Sequence, residues 1–485
     1  MSDPHGVMFQ FFEWNLPNDG TLFELLARMA PELHERGFTA VWFPPAMKGH
    51  SGGFDVGYGV YDPYDLGEFD QKETVRTKYG TREEFLRAVA AVQANGMDAY
   101  LDVVMNHRMG GDEVEEVTVV EVNPDNRLQT VSDPYVIRAW SKYFFPGRKG
   151  AHSDFVWNRD HFNAFGADAN QPDASGKIYR VADRAFSTEV SSEFGNFDYL
   201  MGGNIDHTQE SVRSELVRWG TWLLETTGAR GLRLDAAKHI SHSFTKEWLE
   251  RVRASQPERE IFAVGEYWSG SVAELESYLG ATNGSMRLFD VPLHFRFHEA
   301  SELGREYDLR TIFDETLVAK NPIAAVTFVD NHDSQAGQAL ASPVKDWFKP
   351  IAYALILLRA EGYPCVFFGD YFGNDDEEHR LVSHRIVIDA MLQARASFLH
   401  GERHEYAEGP SLVGWLMTGD EDHPGVMAVA ISTGDEAAIT MQTFRAGLEF
   451  RDVTGAYEES IHANVDGTAS FPVRGGSVSV WCSVK

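Results

Sequence analysis

At 485 residues the chain is longer than one hydrophobic core usually supports, so we expect a large domain together with smaller ones. Its 73 acidic residues against 43 basic ones give a formal net charge of −30, which disfavours nucleic acid, anionic membranes and highly anionic substrates as partners. The same charge is compatible with a neutral substrate or a cation.

The opening segment, MSDPHGVMFQFFEW, has neither the basic start nor the apolar stretch of a secretory signal. No later run is long enough to cross a membrane. We therefore expect a cytoplasmic protein. Cys365 and Cys482 are the only cysteines, and they lie far apart in apolar surroundings. This spacing does not imply a disulfide, and we expect two buried free thiols.

Eight short apolar runs recur along the chain, separated by segments of helix length. Near-continuous apolar character over so few residues is typical of strands that are buried on both faces of a parallel sheet. The runs cover residues 6–14, 38–45, 97–104, 231–235, 261–268, 286–293, 324–330 and 363–368. Their alternation with helices predicts an α/β protein with a (β/α)₈ TIM barrel. A doubly wound open sheet is the alternative, but no glycine-rich phosphate turn follows the first run.

Some of the intervening segments carry helix signals. Thr81 and Glu84 have the spacing of a capping box, and Gly96 stands where a helix of this length ends. Residues 216–227 and 347–359 repeat apolar positions at helical spacing. These signals support helices between the predicted strands.

Two stretches break the alternation. Between Asn106 and His207 the helical pattern fails and Gly, Asp, Asn and Ser accumulate, which predicts a domain B inserted after the third strand. From about Arg403 onward, short alternating runs predict a C-terminal antiparallel β-sandwich. The predicted division is a barrel domain over 1–105 and 208–400, an inserted domain over 106–207 and a C-terminal β-domain over 401–485.

Polar residues interrupt the predicted strands near their ends. Period-two alternation puts Asp102 and Asn106 on the same face of the third strand. In the fourth strand Arg233 and Asp235 face the same way, so we expect an ion pair that keeps the carboxylate charged, as a nucleophile requires. The fifth strand ends at Glu266 between apolar and aromatic residues. Such surroundings raise a carboxyl pKa, which suits a proton donor.

The seventh run ends in a dense polar cluster that contains Asp333. Asp333 thereby joins Asp235 and Glu266 at the rim where chemistry collects in a barrel. One such carboxyl alone is more often structural, but buried charges are costly, so three at strand ends predict a catalytic rim. This inventory fits glycoside hydrolysis and also a metal-assisted hydrolase or lyase. The nearby histidines lie on separate strands without the pairing of metal ligands, which disfavours the second interpretation.

Four of these segments resemble the signature regions of the α-amylase family of glycoside hydrolases, in the right order on strands three, four, five and seven. They are LDVVMNH (101–107), GLRLDAAKHI (231–240), VGEYW (264–268) and FVDNHD (328–333). GNFDYLMGGNIDH (195–207) is similar to the signature that closes the family's inserted domain. The stretch 49–80 resembles the liquefying bacterial type, particularly its intracellular members. The resemblance covers essentially the whole chain.

The resemblance implies roles for individual residues. Asp235 matches the nucleophile, Glu266 the general acid/base, and Asp333 the third carboxylate, which orients sugar hydroxyls and distorts the ring. Arg233 matches the arginine that keeps the nucleophile ionised. The other matches contact the substrate: sugar-binding His107 and His332, Lys238 and His239 on the leaving-group side, Tyr58 beneath the sugar at the cleavage point, and Trp268 as a further platform.

The implied activity is endo-acting hydrolysis of internal α-1,4-glucosidic bonds in starch, glycogen and maltodextrins, with retention through a covalent glucosyl-enzyme. A transglycosylase of the same family is an alternative, since a sugar hydroxyl can replace water in the second step. A non-catalytic glucan-binding protein is a third interpretation, which the presence of all three carboxylates disfavours. We expect a monomer whose partner is the α-1,4-glucan.

The resemblance also implies a Ca²⁺ ion between the barrel and the inserted domain. Asn106, Asp198 and the backbone carbonyl of His239 match its usual ligands. Asn204 stands where secreted relatives carry an aspartate, and Ser187 replaces another. Because fewer anionic oxygens bind Ca²⁺ more weakly, we expect one ion at most, with modest affinity. The alternative is that Asp198 and Asn204 only hydrogen-bond within the inserted domain.

Overall fold

The computed structural model describes residues 6–484, so the first five residues of the opening segment and the last residue lie outside the described part. Eight parallel strands, labelled β1–β8 in chain order, form a closed barrel in which each pairs with its sequence neighbours and β8 pairs with β1. They are Met8–Gln10, Ala40–Trp42, Asp98–Val103, Gly231–Leu234, Phe262–Gly265, Arg287–Phe289, Ala325–Phe328 and Tyr363–Phe367. Each lies within a predicted run, so the (β/α)₈ barrel is confirmed.

Helices separate successive barrel strands. The predicted capping box is present, since Thr81 and Glu84 exchange side-chain and backbone hydrogen bonds. Gly96 follows the end of that helix with a φ of 80°, which glycine adopts without strain. The helices are Leu22–Arg36, Arg82–Ala94, Glu210–Thr227, His242–Ala254, Val272–Ala281, Val291–Leu303, Leu317–Lys320, Lys349–Leu357, Phe368–Phe372 and Arg385–Phe398.

The segment between β3 and the helix Glu210–Thr227 forms an antiparallel sheet of its own. Its strands are His107–Arg108, Glu113–Asn123, Asn126–Thr130, Tyr135–Lys142, Phe162–Phe165, Ile178–Val181 and Gly203–Ile205. The first and last of these strands pair with each other, so the segment leaves and re-enters the barrel at one place. A short hairpin, Lys48–Gly49 with Val60–Asp62, follows β2 on the way to the next helix.

The chain ends in two antiparallel sheets. The larger comprises Arg403–Ala407, Leu412–Met417, Met427–Ser432, Glu449–Asp452, Ile461–His462 and Ser477–Ser483, and the smaller pairs Ala437–Gln442 with Thr468–Val473. Phe450, Phe471 and Trp481 pack between the sheets, which confirms the predicted β-sandwich. The other face of the larger sheet joins the barrel core, and the Trp415 indole donates to the carbonyl of Leu358 at 3.0 Å.

The two cysteines lie in different domains. Cys365 is on β8 and Cys482 is in the strand Ser477–Ser483, and both are buried free thiols, as expected. Burial raises the pKa of Cys482 to about 12, so this thiol stays protonated. Within residues 6–484, no helix combines the length and the apolar character that crossing a membrane requires.

Candidate active site

The register of β3 and β4 brings an arginine between two carboxylates. Arg233 is the register partner of Asp102, and its Nη1 lies 3.0 Å from Asp102 Oδ1 and 2.6 Å from Asp235 Oδ1. Burial opposes the charge of this guanidinium, but the surrounding carboxylates raise the pKa of Arg233 well above its usual value. The expected ion pair is therefore present, and a fixed positive charge stabilises the carboxylate of Asp235.

Glu266 follows β5 directly and lies beside the same arginine. Its Oε2 accepts the backbone N–H of Ala236 at 2.8 Å and lies 3.9 Å from Arg233 Nη2. Ala236 has a φ of 52°, a left-handed conformation that is strained for a residue with a Cβ and that aims its amide at this carboxyl. Burial raises the pKa of Glu266, and the charges of Asp235 and Asp333 add to the rise. This environment favours a protonated Glu266 near neutral pH.

Asp333 lies in the turn that follows β7. Asn331 Oδ1 accepts the backbone N–H groups of Asp333 at 2.9 Å and of Ser334 at 2.8 Å, and the Ser334 hydroxyl donates to Asp330 Oδ1 at 2.9 Å. Burial raises the pKa of Asp333 to about 7, and the negative charge of Asp235 contributes to the rise. The turn is therefore held by its own side chains and presents a third carboxyl to the other two.

Three flat rings lie next to the carboxyls. The rings of Tyr58 and His332 are nearly parallel at a centroid distance of 5.1 Å, and the Trp14 ring is nearly parallel to both, with its centroid 6.1 Å from each. The Tyr58 hydroxyl donates to Asp102 Oδ2 at 3.0 Å, and His332 Nε2 lies 3.3 Å from Asp333 Oδ2. The hairpin after β2 thus brings Tyr58 to the acids, and the rings offer an apolar wall of the kind on which sugars stack.

Lys238 and His239 lie in the turn after β4. Lys238 Nζ donates to the carbonyl of Trp268 at 3.0 Å and to Glu193 Oε2 at 2.7 Å. His239 Nδ1 lies 2.7 Å from the carbonyl of Phe197. Burial lowers the pKa of His239 to about 3, so the ring is neutral. Both side chains therefore connect the barrel rim to the inserted domain.

His107 and Trp268 complete the predicted set. His107 Nε2 lies 2.8 Å from the carbonyl of Tyr58, while its buried Nδ1 has no hydrogen-bond partner among the described residues. Only 7% of Trp268 is exposed, and its ring packs against Phe295 and Phe328. His107 thus offers an unused polar atom, whereas Trp268 offers little area on which a sugar could stack.

Three residues of the site have no predicted role: Asp102, Trp14 and Glu193. The strand alternation that places Asp102 on the same face as Asn106 is a signal for the first, since it points this carboxylate to the functional side of β3. Trp14 ends the first apolar run as an aromatic at the rim. Glu193 lies in a short 3₁₀ turn, and no sequence pattern marks its contact with Lys238.

Asp102 is a positioning residue, and we expect its substitution to displace several side chains of the site. It accepts hydrogen bonds from Trp42 Nε1 at 3.0 Å, from the Tyr58 hydroxyl and from Arg233. We expect Asp102→Asn to lower kcat on amylose about 100-fold and to lower the Tm, because Arg233 and Tyr58 lose their shared anchor. Asp98→Asn, which changes a half-exposed carboxyl on the same strand, serves as the control. Equal activity in the two variants would contradict this role.

The proposed metal ligands form a chain of amides. Asn106 Nδ2 donates to Asn204 Oδ1 at 3.3 Å, Asn204 Nδ2 to Asn163 Oδ1 at 2.8 Å, and Asn163 Nδ2 to Asp198 Oδ2 at 2.8 Å. The backbone N–H of Ser187 also donates to Asp198 Oδ2, at 3.0 Å. Burial raises the pKa of Asp198 to about 6. Asn163 is a further member that the sequence did not indicate.

One atom of this chain points to a cation. Asn106 Oδ1 is buried and lacks a hydrogen-bond partner within the described range 6–484. A buried oxygen without a donor is costly, and a hard cation would satisfy it. The hydrogen bonds expected if Asp198 and Asn204 only hydrogen-bond within the inserted domain are also present. A single weakly bound ion fits a set with one carboxylate and several neutral oxygens.

The carboxyl ends of neighbouring barrel strands thus hold one carboxyl paired with an arginine and one whose raised pKa favours its protonated form. Retaining glycoside hydrolysis requires a nucleophilic carboxylate and a proton-donating carboxyl, and the active sites of this fold lie at the barrel rim, so the fold and the site fit a glycoside hydrolase. A family model described as the alpha-amylase catalytic domain matches residues 18–407. The chain belongs to the alpha-amylase family, as the resemblance of its motifs indicated.

Individual relatives extend over nearly the whole chain. An alpha-amylase from Geobacillus stearothermophilus is 47% identical over 99% of this chain and 87% of its own. The cytoplasmic alpha-amylase of Escherichia coli (strain K12) is 41% identical over 98% of each chain. The solved structure of an Anoxybacillus alpha-amylase covers 99% of this chain and 97% of its own, with a TM-score of 0.65 and 17% identity. This last likeness shows the shared fold.

Proposed function

We propose that this protein hydrolyses internal α-1,4-glucosidic bonds of starch, glycogen and maltodextrins with retention of the anomeric configuration. The observation that carries the proposal is the pair of unlike carboxyls around Arg233: Asp235 held by the guanidinium, and Glu266 with its pKa raised by burial. A retaining glycosidase needs one ionised carboxylate as nucleophile and one protonated carboxyl as general acid at the same time. The names of the relatives, which are alpha-amylases over nearly the same length, support this substrate class.

In the first step Glu266 donates its proton to the glycosidic oxygen while Asp235 Oδ attacks the anomeric carbon from the opposite face. The bond between that carbon and the oxygen breaks, and the new chain end leaves as an alcohol. A covalent glucosyl-aspartate ester forms, which neutralises the negative charge of the Asp235 carboxylate. Arg233 stabilises Asp235 before attack, and its second contact with Asp102 keeps it in place.

In the second step Glu266, now ionised, takes a proton from water as the water oxygen attacks the same carbon. The ester bond to Asp235 breaks, and Glu266 regains the proton that the next cycle needs. Two inversions give net retention. We assign Asp333 to the hydroxyls of the bound sugar, because its turn is rigid and its carboxyl is adjacent to His332.

The substrate-binding roles follow from the same positions. Tyr58 would stack beneath the sugar at the cleavage point, with His332 beside it and His107 Nδ1 available to a hydroxyl. Lys238 and His239 would line the leaving-group side, next to the inserted domain. These assignments leave Trp14 as an additional ring on the same wall.

We also propose one Ca²⁺ ion between the barrel and the inserted domain. Asn106, Asp198, Asn204 and the carbonyl of His239 would hold it, and the unpartnered Asn106 Oδ1 supports this assignment. The ion would neutralise the charge of Asp198 and link the inserted domain to the barrel. Asn163 would orient the carboxylate of Asp198 through its amide.

Chelation is expected to lower the Tm by about 3 °C, since an ion that binds only the folded state stabilises it. Adding Ca²⁺ back should restore the Tm in the unaltered protein but not in Asp198→Asn, which loses the anionic ligand. Differential scanning fluorimetry with and without EGTA measures both. Elemental analysis that finds no metal, together with an unchanged Tm, would leave only the hydrogen-bonded arrangement.

The location and assembly of the protein are further proposals. We propose that it acts in the cytoplasm on soluble maltodextrins, which the name of the Escherichia coli relative supports. We propose a monomer, because the most exposed large apolar side chains belong to three different elements: Ile323 to the loop before β7, Ile386 to the helix Arg385–Phe398 and Val465 to the C-terminal domain. Light scattering over a range of concentrations tests the second proposal.

Incubation with amylose tests the central proposal. Early appearance of α-configured oligosaccharides of mixed length, followed by NMR and mass spectrometry, is the expected result. Products longer than a maltodextrin substrate would indicate the transglycosylase alternative, and a single short product would indicate attack at chain ends. Binding without any product would favour the non-catalytic glucan-binding protein.

A further inference from the structure

The last helix of the barrel domain meets the C-terminal domain in a tight backbone crossing. Arg385–Phe398 ends two residues before His400, and the next residue, Gly401, forms an isolated parallel bridge with Gly419. The Gly419 N–H donates to the His400 carbonyl at 3.1 Å. A Cβ on Gly401 would lie 1.9 Å from the Gly419 carbonyl oxygen, so only glycine permits this approach. The backbone at His400 is thereby fixed against the turn that follows Gly419.

That turn is held in one shape by its own hydrogen bonds. The Asp420 N–H donates to the His423 carbonyl at 2.9 Å, and the His423 N–H donates to Asp420 Oδ1 at 2.7 Å. Arg445 Nη1 donates to the carbonyl of Pro424 at 2.6 Å. The side chains of Asp420 and His423 therefore leave the turn from a constrained backbone.

Two imidazoles and one carboxylate meet at this crossing. The rings of His400 and His423 lie 3.8 Å apart and are nearly parallel, at 7°. His423 Nδ1 is 3.3 Å from Asp420 Oδ1, and His400 Nδ1 is 3.9 Å from Asp420 Oδ2. One ligand atom from each of the three residues lies within 4.8 Å of the others. Two imidazoles and one carboxylate are a ligand set for a divalent transition metal, and the rings would rotate out of their stack so that each in-plane nitrogen lone pair points at the ion.

We propose that His400, Asp420 and His423 bind a borderline divalent transition metal of the Zn²⁺ class, which joins the barrel domain to the C-terminal domain. Two nitrogens and one carboxylate oxygen leave a fourth position for water. Imidazole nitrogen favours Zn²⁺, Ni²⁺ or Cu²⁺ over Ca²⁺, so this site is separate in chemistry from the oxygen site near Asn106. The half-exposed Asp420 and His423 give the ion access from solvent, and the net charge of −30 favours cations near the surface.

Zn²⁺ titration followed by calorimetry, with Ca²⁺ in large excess throughout, tests the proposal in the full chain. We expect one equivalent of Zn²⁺ to bind with a Kd below about 10 µM. His423→Asn and Asp420→Asn should each lose that equivalent, whereas His462→Asn, an exposed histidine of the same domain, should retain it. All three variants should keep the amylose activity of the unaltered protein, which shows that they are folded.

Two further measurements test which residues bind the ion and whether the bound ion stabilises the fold. Co²⁺ should give the visible absorption of a four-coordinate ion in the unaltered protein and in His462→Asn, but not in His423→Asn. Zn²⁺ should raise the Tm by about 2 °C only where the site is intact. Failure to bind Zn²⁺ below about 100 µM would overturn the proposal, as would binding that survives both substitutions.

Discussion

Asp235→Asn is expected to lower kcat on amylose by at least about 10⁴-fold, because an amide cannot form the glucosyl ester that the first step requires. The fold should persist, since Arg233 keeps its second carboxylate partner, Asp102, at 3.0 Å. Stopped assays of reducing ends measure the loss, and circular dichroism with a Tm measurement reports the fold. Asp98→Asn, at the opposite end of the neighbouring strand, is the matched control and should stay active.

The nucleophile assignment has a sharper chemical test. Asp235→Gly opens space on the face from which the carboxylate would attack, so azide can take its place. With α-maltosyl fluoride as substrate, azide should then yield the β-configured maltosyl azide, which NMR identifies. An α-configured product, or residual amylose cleavage near the unaltered rate, would show that position 235 does not supply the nucleophile.

Glu266→Gln is expected to lower kcat on amylose about 10³-fold, since general acid catalysis contributes in this range. Fluoride needs little protonation to leave. With α-maltosyl fluoride as substrate, the substitution should therefore lower the rate of glycosylation far less than it lowers kcat on amylose. Burst kinetics separate that first step from the second. The glutamine keeps an acceptor for the Ala236 amide, and the structure around the site should therefore be retained.

Azide also distinguishes the two carboxyls. In Glu266→Gln the covalent intermediate still forms on Asp235, and azide needs no base, so azide should restore turnover and give the α-configured product. The two variants are thus expected to yield azides of opposite configuration from one substrate. If both yielded the same anomer, the roles of Asp235 and Glu266 could not be those proposed.

The positions of the barrel strands could be predicted because buried strands appear in the sequence as apolar runs. The lengths of the strands could not be predicted. The first run covers 6–14, whereas the hydrogen-bonded strand is Met8–Gln10, and Phe11 and Phe12 are buried beyond it. An apolar pattern reports burial and carries no information on which residues join the ladder. The chain packs against the core as it leaves each strand, so every predicted run is longer than the strand that it contains.

The position of the proposed catalytic carboxyls was predictable for a related reason, since a charge at the end of an apolar strand is costly and therefore informative. Contacts made by loops carry no such signal. Glu193 reaches Lys238 only because the inserted domain docks on the barrel, and Asn163 reaches Asp198 only through the folding of the inserted domain itself. Trp268 differs from these residues: the resemblance implies a sugar platform at this position, whereas tertiary packing leaves only 7% of the residue exposed.

The larger sheet of the C-terminal domain has consequences for how far this enzyme can be shortened. Its strands are apolar on both sides, one covered by the smaller sheet and the other by the helix Lys349–Leu357 and its neighbours. Truncating the chain after position 400 would expose the buried apolar faces of barrel helices to solvent, which favours aggregation. The last 85 or so residues therefore cover part of the barrel core. We expect the barrel domain and the C-terminal domain to unfold in a single thermal transition.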